Sequence, residues 1–314
     1  MRGRFWAAAL ALLLLARGTG VLPRGREMEE LALINALAAD QTRQGIEVTA
    51  VTGVRASENE EPQVLAGAGE SLAAACETVQ GVQASHAYLG QTGRLLIGEK
   101  LARTGLRETL NFVLNHGELR LDTLLYIVRG DAGAGLAASA SQTAGETPGE
   151  DWRGRTAGQV LSRLAEGEDV LAPALAPERD GTLTPCGWAV LGPDGLRGYL
   201  EGEAARGAEL LAGLGAGTVV TLPGGAAVEL TGVTCLVWDG VLRCRLTGKS
   251  DRGTAEELAS WGARQLRAAL DAGYDCWGLT RQQRLLAPWR AAEDSVRVLN
   301  VEVTGKVETR DGRT

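Results

Sequence analysis

The dipeptide Asp239-Gly240 constrains this chain more than any other short feature. It stands between two alternating runs, Val228 to Val237 and Val241 to Leu246, and Asp-Gly favours the two-residue turn with positive φ at both positions that joins antiparallel strands. Such a turn sets Trp238 opposite Val241 and, counting outward, Cys235 opposite Cys244. In that register the two cysteines form a non-hydrogen-bonded pair with Cα atoms about 4.5 Å apart, close enough for a disulfide. Val233, Val237, Leu242 and Leu246 share their face, which is the expected core side, while Trp238, Arg243 and Arg245 point outward. The residues leave open whether Cys235 and Cys244 are oxidised or remain buried thiols acting as small hydrophobes.

The same reading extends along the chain. Ile46 to Val51 alternates as a strand, and Ser71 caps a helix that Gly81 stops. Arg94 to Ile97 and Leu121 to Val128 read as strands around a helical region with Leu106, Leu110, Val113 and Leu114 on one face, a βαβ-like unit. Thr254 with Glu257 forms a capping box that opens a helix with Leu258, Trp261, Leu266 and Leu270 inward. A second helical stretch covers Trp277 to Trp289, and residues 296–307 alternate as a terminal strand. The expected class is α+β, with several domains of mixed and antiparallel sheets and helices packed on them. Glycine is the compositional outlier, 43 of 314 residues, about twice the usual share of roughly 7%. Its density in 129–158, followed by Pro173, Pro177 and Pro185, reads as loop. We therefore divide the chain into residues 27–130 (an N-terminal α/β domain), 131–185 (a Gly/Pro-rich linker or small middle domain) and 186–310 (a C-terminal α+β domain).

Residues 1–20 read as a signal peptide or N-terminal anchor. Arg2 and Arg4 precede Phe5 to Ala16, twelve residues without a polar side chain, where a spanning helix needs about 20. The formal charge of −7 argues against a nucleic-acid partner. Chemistry is sparse. His86 and His116 are the only histidines, and no CxxC, HExxH or calcium-loop pattern occurs, so no catalytic, cofactor or metal site is indicated. Gly130-Asp131-Ala132-Gly133-Ala134-Gly135 and Gly213-Leu214-Gly215-Ala216-Gly217 lack the Lys-Ser/Thr of a phosphate loop and read as turns. His116 ends a helix, where an imidazolium suits the dipole. Glu58/Glu60/Glu61 and Glu27/Glu29/Glu30 read as solvated charge, and the seven tryptophans mainly as core.

Three blocks, in order, resemble one family. Arg26-Glu27-Met28-Glu29-Glu30-Leu31-Ala32-Leu33-Ile34-Asn35-Ala36-Leu37-Ala38-Ala39-Asp40 resembles the start of mature Ger(x)C proteins, the C subunits of spore-germination nutrient receptors, whose segment ends in Gly-Ile-Asp. His86-Ala87 followed by Arg94-Leu95-Leu96-Ile97-Gly98-Glu99-Lys100-Leu101-Ala102-Arg103-Thr104-Gly105-Leu106 is similar to that family's Val-Ile-Gly-Glu-Glu-Leu-Ala-Arg-Glu-Gly-Ile segment. Gly187-Trp188-Ala189-Val190 with Gly198-Tyr199-Leu200-Glu201-Gly202-Glu203 resembles the opening of its C-terminal domain. The resemblance implies a non-catalytic lipoprotein on the outer face of the inner spore membrane, partnered by A and B integral-membrane subunits. One departure matters: Leu22 stands where the lipid-modified cysteine is expected, so no diacylglyceryl group is expected there. Glu99 and Arg103 are the candidate partner contact, beside the simpler reading that Glu99 stabilises a helix N-terminus by about 0.3–1 kcal/mol. From the residues alone, an extracytoplasmic solute-binding module and a secreted glycan hydrolase remain as alternatives.

Overall fold

The computed structural model describes residues 31–53, 62–81, 86–142, 155–290 and 296–309. The expected signal segment, the position of Leu22 and the two glutamate runs lie outside them. In chain order the elements are β1 (Leu31–Gln41), β2 (Ile46–Thr52), β3 (Val64–Gly69), α1 (Leu72–Gly81), β4 (His86–Tyr88), β5 (Arg94–Gly98), α2 (Glu99–Thr104), α3 (Leu106–Asn115), β6 (Leu124–Val128), α4 (Ala132–Gln142), β7 (Arg155–Thr156), α5 (Ala157–Ala165), β8 (Val170–Pro177), β9 (Leu183–Gly192) and β10 (Gly195–Leu200). The second half adds α6 (Gly202–Leu211), β11 (Val219–Thr221), β12 (Ala227–Trp238), β13 (Val241–Lys249), α7 (Ala255–Asp271), α8 (Leu279–Leu286) and β14 (Asn300–Glu308).

These elements form two sheets, and the class is α+β. The larger runs β10-β9-β8-β6-β5-β1-β2-β3, with β4 beside β1 and β7 beside β6. Its centre is parallel, β1 to β5 to β6 to β8, while β2–β3 and β9–β10 add antiparallel edges. Both faces of the parallel centre are covered, which explains why Leu95-Leu96-Ile97 is uninterrupted rather than alternating. Leu37, Leu95, Ile97, Leu125 and Ile127 pack with Val79, Leu101, Leu110 and Val160 from α1, α2, α3 and α5. Ala36, Ala38, Leu96, Tyr126 and Val128 pack on the opposite side with Ala132 and Leu136 of α4. Two apolar positions depart from expectation: Leu114 and Leu121 are 52% and 43% exposed, and the strand starts at Leu124.

The smaller sheet runs β11-β12-β13-β14. Asp239 and Gly240 take φ of 50° and 76°, and Trp238 pairs with Val241 and Cys235 with Cys244, in the expected register. A disulfide joins Cys235 and Cys244, whose Cα atoms lie 4.2 Å apart. Val237, Leu242, Cys244 and Leu246 are buried against Leu258, Trp261, Leu266 and Leu270 of α7, while Arg243 and Arg245 are exposed. The Thr254–Glu257 capping box forms in both directions. A further cluster packs Leu171, Trp188, Val190 and Leu200 of the larger sheet against Ala205 and Ala208 of α6 and Cys276.

The described part of residues 131–185 is not a linker. It supplies α4, β7, α5, β8 and the start of β9 to the larger sheet, so Cys186 begins no new unit, and the smaller sheet starts only at Val219. Composition misleads here because the glycines serve packing. A Cβ on Gly133 would press on Thr49 and Asp40, and one on Gly135 would strike Leu183. The proline in β8 is equally compatible with a strand. Pro173 pairs with Trp188 on one side, while β6 reaches β8 only at Ala174 and Leu175, so its missing N–H removes no bond to β6.

Two expectations follow. Five cysteines are present and three are free in the structure, so alkylation of the denatured, unreduced protein should label three sites and alkylation after reduction five; five labels without reductant would show the Cys235–Cys244 pair to be reduced. In α6, Gly207→Ala should destabilise by about 1–3 kcal/mol, as overpacking does, despite the better helix propensity of Ala, because the new methyl meets the Gln265 carbonyl of α7. Urea unfolding checks this, with Gly81→Ala, which meets nothing within 4 Å, as the tolerated control.

Candidate functional site

The carboxyl ends of β1, β5 and β6 converge, as parallel strands do where open α/β sheets place their sites. Asp40, near the end of β1, directs its carboxylate at the N-terminus of α4. Its Oδ1 accepts the Ala132 N–H at 2.9 Å and its Oδ2 the Gly133 N–H at 2.7 Å. These donors would otherwise lack an intrahelical partner, and the helix dipole favours the negative charge. Gly98, ending β5, is the residue that allows this, because a Cβ there would collide with Asp40 Oδ1. The Glu99 N–H donates to the Gly130 carbonyl at 3.1 Å and fastens the loop after β5 to the loop after β6. The glycine-rich run 130–135 thus lies between a strand and a helix, contrary to its reading as a turn. The helix end it presents is filled by the chain's own carboxylate. Burial pushes Asp40 up to about 6, against the pull of the two N–H donors, and the neighbouring Asp131 charge adds to the rise.

Beside this joint lies a ring of charge. Arg103 donates to Glu99 Oε1 from Nε at 3.2 Å and Nη2 at 2.8 Å, with Arg103 46% and Glu99 31% exposed. One turn apart on α2, this pair contributes on the order of 0.3–0.5 kcal/mol to the helix. Arg129, just after β6, is paired with Glu201, just after β10. Its guanidinium carbon sits 4.3 Å from the ring centroid of Tyr199, a cation–π arrangement. The Tyr199 hydroxyl is buried and has no hydrogen-bond partner among the described residues. Its proton is held more tightly than usual, first by burial and then by the Glu99 charge, with Arg129 and Arg103 opposing. Cys186 adjoins the same group, its thiol raised by burial with Arg129 opposing.

The structure therefore joins Glu99 to Arg103, and adds Asp40, Arg129, Tyr199 and Glu201, which sequence reasoning missed as a cluster. Cys235 and Cys244 belong to the other sheet. The strand–glycine–helix order around Gly130 is the signal for Asp40, and the loop-like composition of α4 masks it. Arg129, Tyr199 and Glu201 meet through β10, and local sequence carries no mark of that contact. His116 takes a role other than the expected one: its Nδ1 accepts the Glu118 and Leu119 N–H groups at 3.2 and 3.3 Å. His86 lies in β4 and pairs with Leu31. Two tryptophans are core, Trp188 and Trp261 at 4% and 6% exposure. Trp238 and Trp289 are exposed and meet edge to face, centroids 6.3 Å apart. Among the described residues, no cluster of His, Cys, Asp and Glu could hold a metal, and no helix is long and apolar enough to cross a membrane.

Chemically, the arrangement is a surface of paired charges mounted on a fixed joint, and its exposed members can exchange intramolecular partners for those of another protein. Asp40→Ala should cost about 1–3 kcal/mol, since it strands two helix-terminal donors. The folded value of Asp40 lies above the ordinary 3.8, so its contribution to stability is full below 3.8 and is lost as pH rises through about 6. Asp40→Asn should flatten that part of the stability–pH curve, measured by urea unfolding from pH 4 to 7; an unchanged slope would remove Asp40 as its source.

Residues 24–150 match the family model of the spore germination protein N-terminal domain. The fold is similar to that in the crystal structure of the GerBC protein, with 16% sequence identity and a TM-score of 0.51, covering 87% of this chain and 96% of that one. No curated protein sequence matches the chain significantly. The matched region contains both the Asp40 joint and the Glu99–Arg103 pair, so residues 24–150 match a spore germination N-terminal domain within a fold similar to that of GerBC.

Proposed function

We propose that this chain is the non-catalytic C subunit of a nutrient-germinant receptor, held at the outer face of the inner spore membrane by its A and B integral-membrane partners. The observation that carries this reading is the spore-germination match over residues 24–150, which includes the exposed Glu99–Arg103 pair. In this reading Glu99, Arg103, Arg129 and Glu201 form the docking surface for a membrane subunit. Support comes from their construction: α2, the loop after β6 and the end of β10 each contribute, so the surface is preformed and its charges pair only weakly with one another at the protein edge. Glu99 and Glu201 are each engaged by an arginine, which suits a binding surface better than the paired carboxylic acid and carboxylate that a glycan hydrolase needs. With Leu22 at the position of the lipid-bearing cysteine, attachment through partner subunits takes the place of lipidation.

The test is co-purification of tagged protein from spore membranes. Wild type should bring down two integral-membrane proteins. Glu99→Gln should leave the melting temperature within about 1 °C, as surface substitutions do, while assembly is lost. A variant that loses stability but still assembles would reduce Glu99 to a helix-stabilising residue.

A further inference from the structure

β14 is an open edge, since β13 pairs one side of it and no described strand pairs the other. Its nine residues run against β13 without a bulge, from Val241↔Asn300 to Lys249↔Glu308. The other edges are shorter or interrupted: β11 has three residues, β3 six, and β10 is irregular between Leu196 and Gly198. Proteins commonly blunt an edge by shortness, bulges, proline or charge. β14 has only charge, and the placement of that charge is informative.

The hydrogen-bonding side of each residue is fixed by the ladder. The Asn300 N–H donates to Gly240 and the Glu308 carbonyl accepts from Ser250, so even-numbered residues direct their backbone groups toward β13. In a parallel ladder the intervening residues, Val301, Val303, Gly305 and Val307, direct theirs to the open side. The three valines are only half-buried against the core.

We propose that β14 is a homodimerisation edge, taken by β14 of a second copy running antiparallel about a two-fold axis at Thr304. In that register Glu302 faces Lys306 of the second copy, and Lys306 faces Glu302, on the solvent side. On the core side Val301 faces Val307 and Val303 faces Gly305, and these are the residues whose backbone groups are open. Centring the axis one residue later sets Glu302 against Glu308, a like-charge pair; one residue earlier sets Glu302 against Thr304 and forms no ion pair. Centring it between residues pairs open backbone groups with used ones. A two-fold interface is self-complementary by necessity, and the Thr304-centred register is the one of these in which sequence charge and backbone parity both satisfy that condition. Glu302 presently accepts from Arg243 Nε at 3.1 Å and Lys306 contacts Glu308 at 2.8 Å. All four side chains are exposed, so sharing these carboxylates and this ammonium with a second copy displaces only weak contacts.

This goes beyond the receptor reading and stands independently of it. At the axis, Thr304 faces its own copy as a non-hydrogen-bonded pair, with Cα atoms about 4.5 Å apart and within disulfide range. Thr304→Cys should therefore give a covalent dimer on mild oxidation of the full chain, seen on non-reducing gels and absent from wild type. Adding Glu302→Lys should abolish the cross-link, and adding Lys306→Glu as well should restore it. Sedimentation of wild type should show concentration-dependent dimers, lost in Val303→Pro, whose missing N–H faces the open side and leaves the β13 ladder intact by circular dichroism. Wild type monomeric at all concentrations, or a cross-link indifferent to the charge reversal, would overturn the proposal.

Discussion

The carboxylate of Asp40 at the N-terminus of α4 is the contact on which the carboxyl end of the larger sheet's parallel centre depends. One side chain from β1 satisfies two backbone donors of α4, and the space for it exists because β5 ends in glycine. The elevated affinity of Asp40 for its proton reports the tension in this arrangement: burial disfavours the charge that the helix end requires. The loops that follow β5 and β6 are fastened together by Glu99 N–H to Gly130 carbonyl, so α2 leaves the sheet in a fixed direction.

That direction determines what α2 presents. Glu99 and Arg103 fall on its exposed side, and Tyr199 and Arg129 lie against the same group from β10 and the loop after β6. Gly195, at the start of β10, fits against the Ala102 and Arg103 carbonyls of α2, where a Cβ would clash. The charges are therefore mounted on backbone that is held from two sides, as the proposed docking role requires, since a preformed surface loses less entropy on binding.

The smaller sheet follows a different logic. Its helix α7 covers one face, and the disulfide lies between β12 and β13 within the hairpin. The opposite face carries Arg243, Arg245, Glu302 and Lys306, and the outer edge of β14 carries open backbone groups. Trp188 and Leu200 pack against Ala205 and Ala208, which seats α6 on the larger sheet.

Residue order was sufficient for the features set by near neighbours in the chain. The Asp239-Gly240 turn, the Cys235–Cys244 register and the Thr254–Glu257 capping box arise from φ preferences, strand parity and side chain–backbone bonds spanning a few residues. The βαβ unit around Glu99 and the face of α7 followed from periodicity for the same reason. What sequence could not resolve was any place where glycine or proline serves a distant contact. Gly133 and Gly135 resemble loop residues until Asp40, Thr49 and Leu183 arrive from strands far away in the chain, and Pro173 reads as a breaker until one side of its strand proves unpaired there. Asp40, Arg129, Tyr199 and Glu201 come together only through the order of strands in the sheet, because local propensity acts over one or two turns whereas these contacts span 93 positions from Asp40 to Gly133 and 72 (201 − 129) from Arg129 to Glu201.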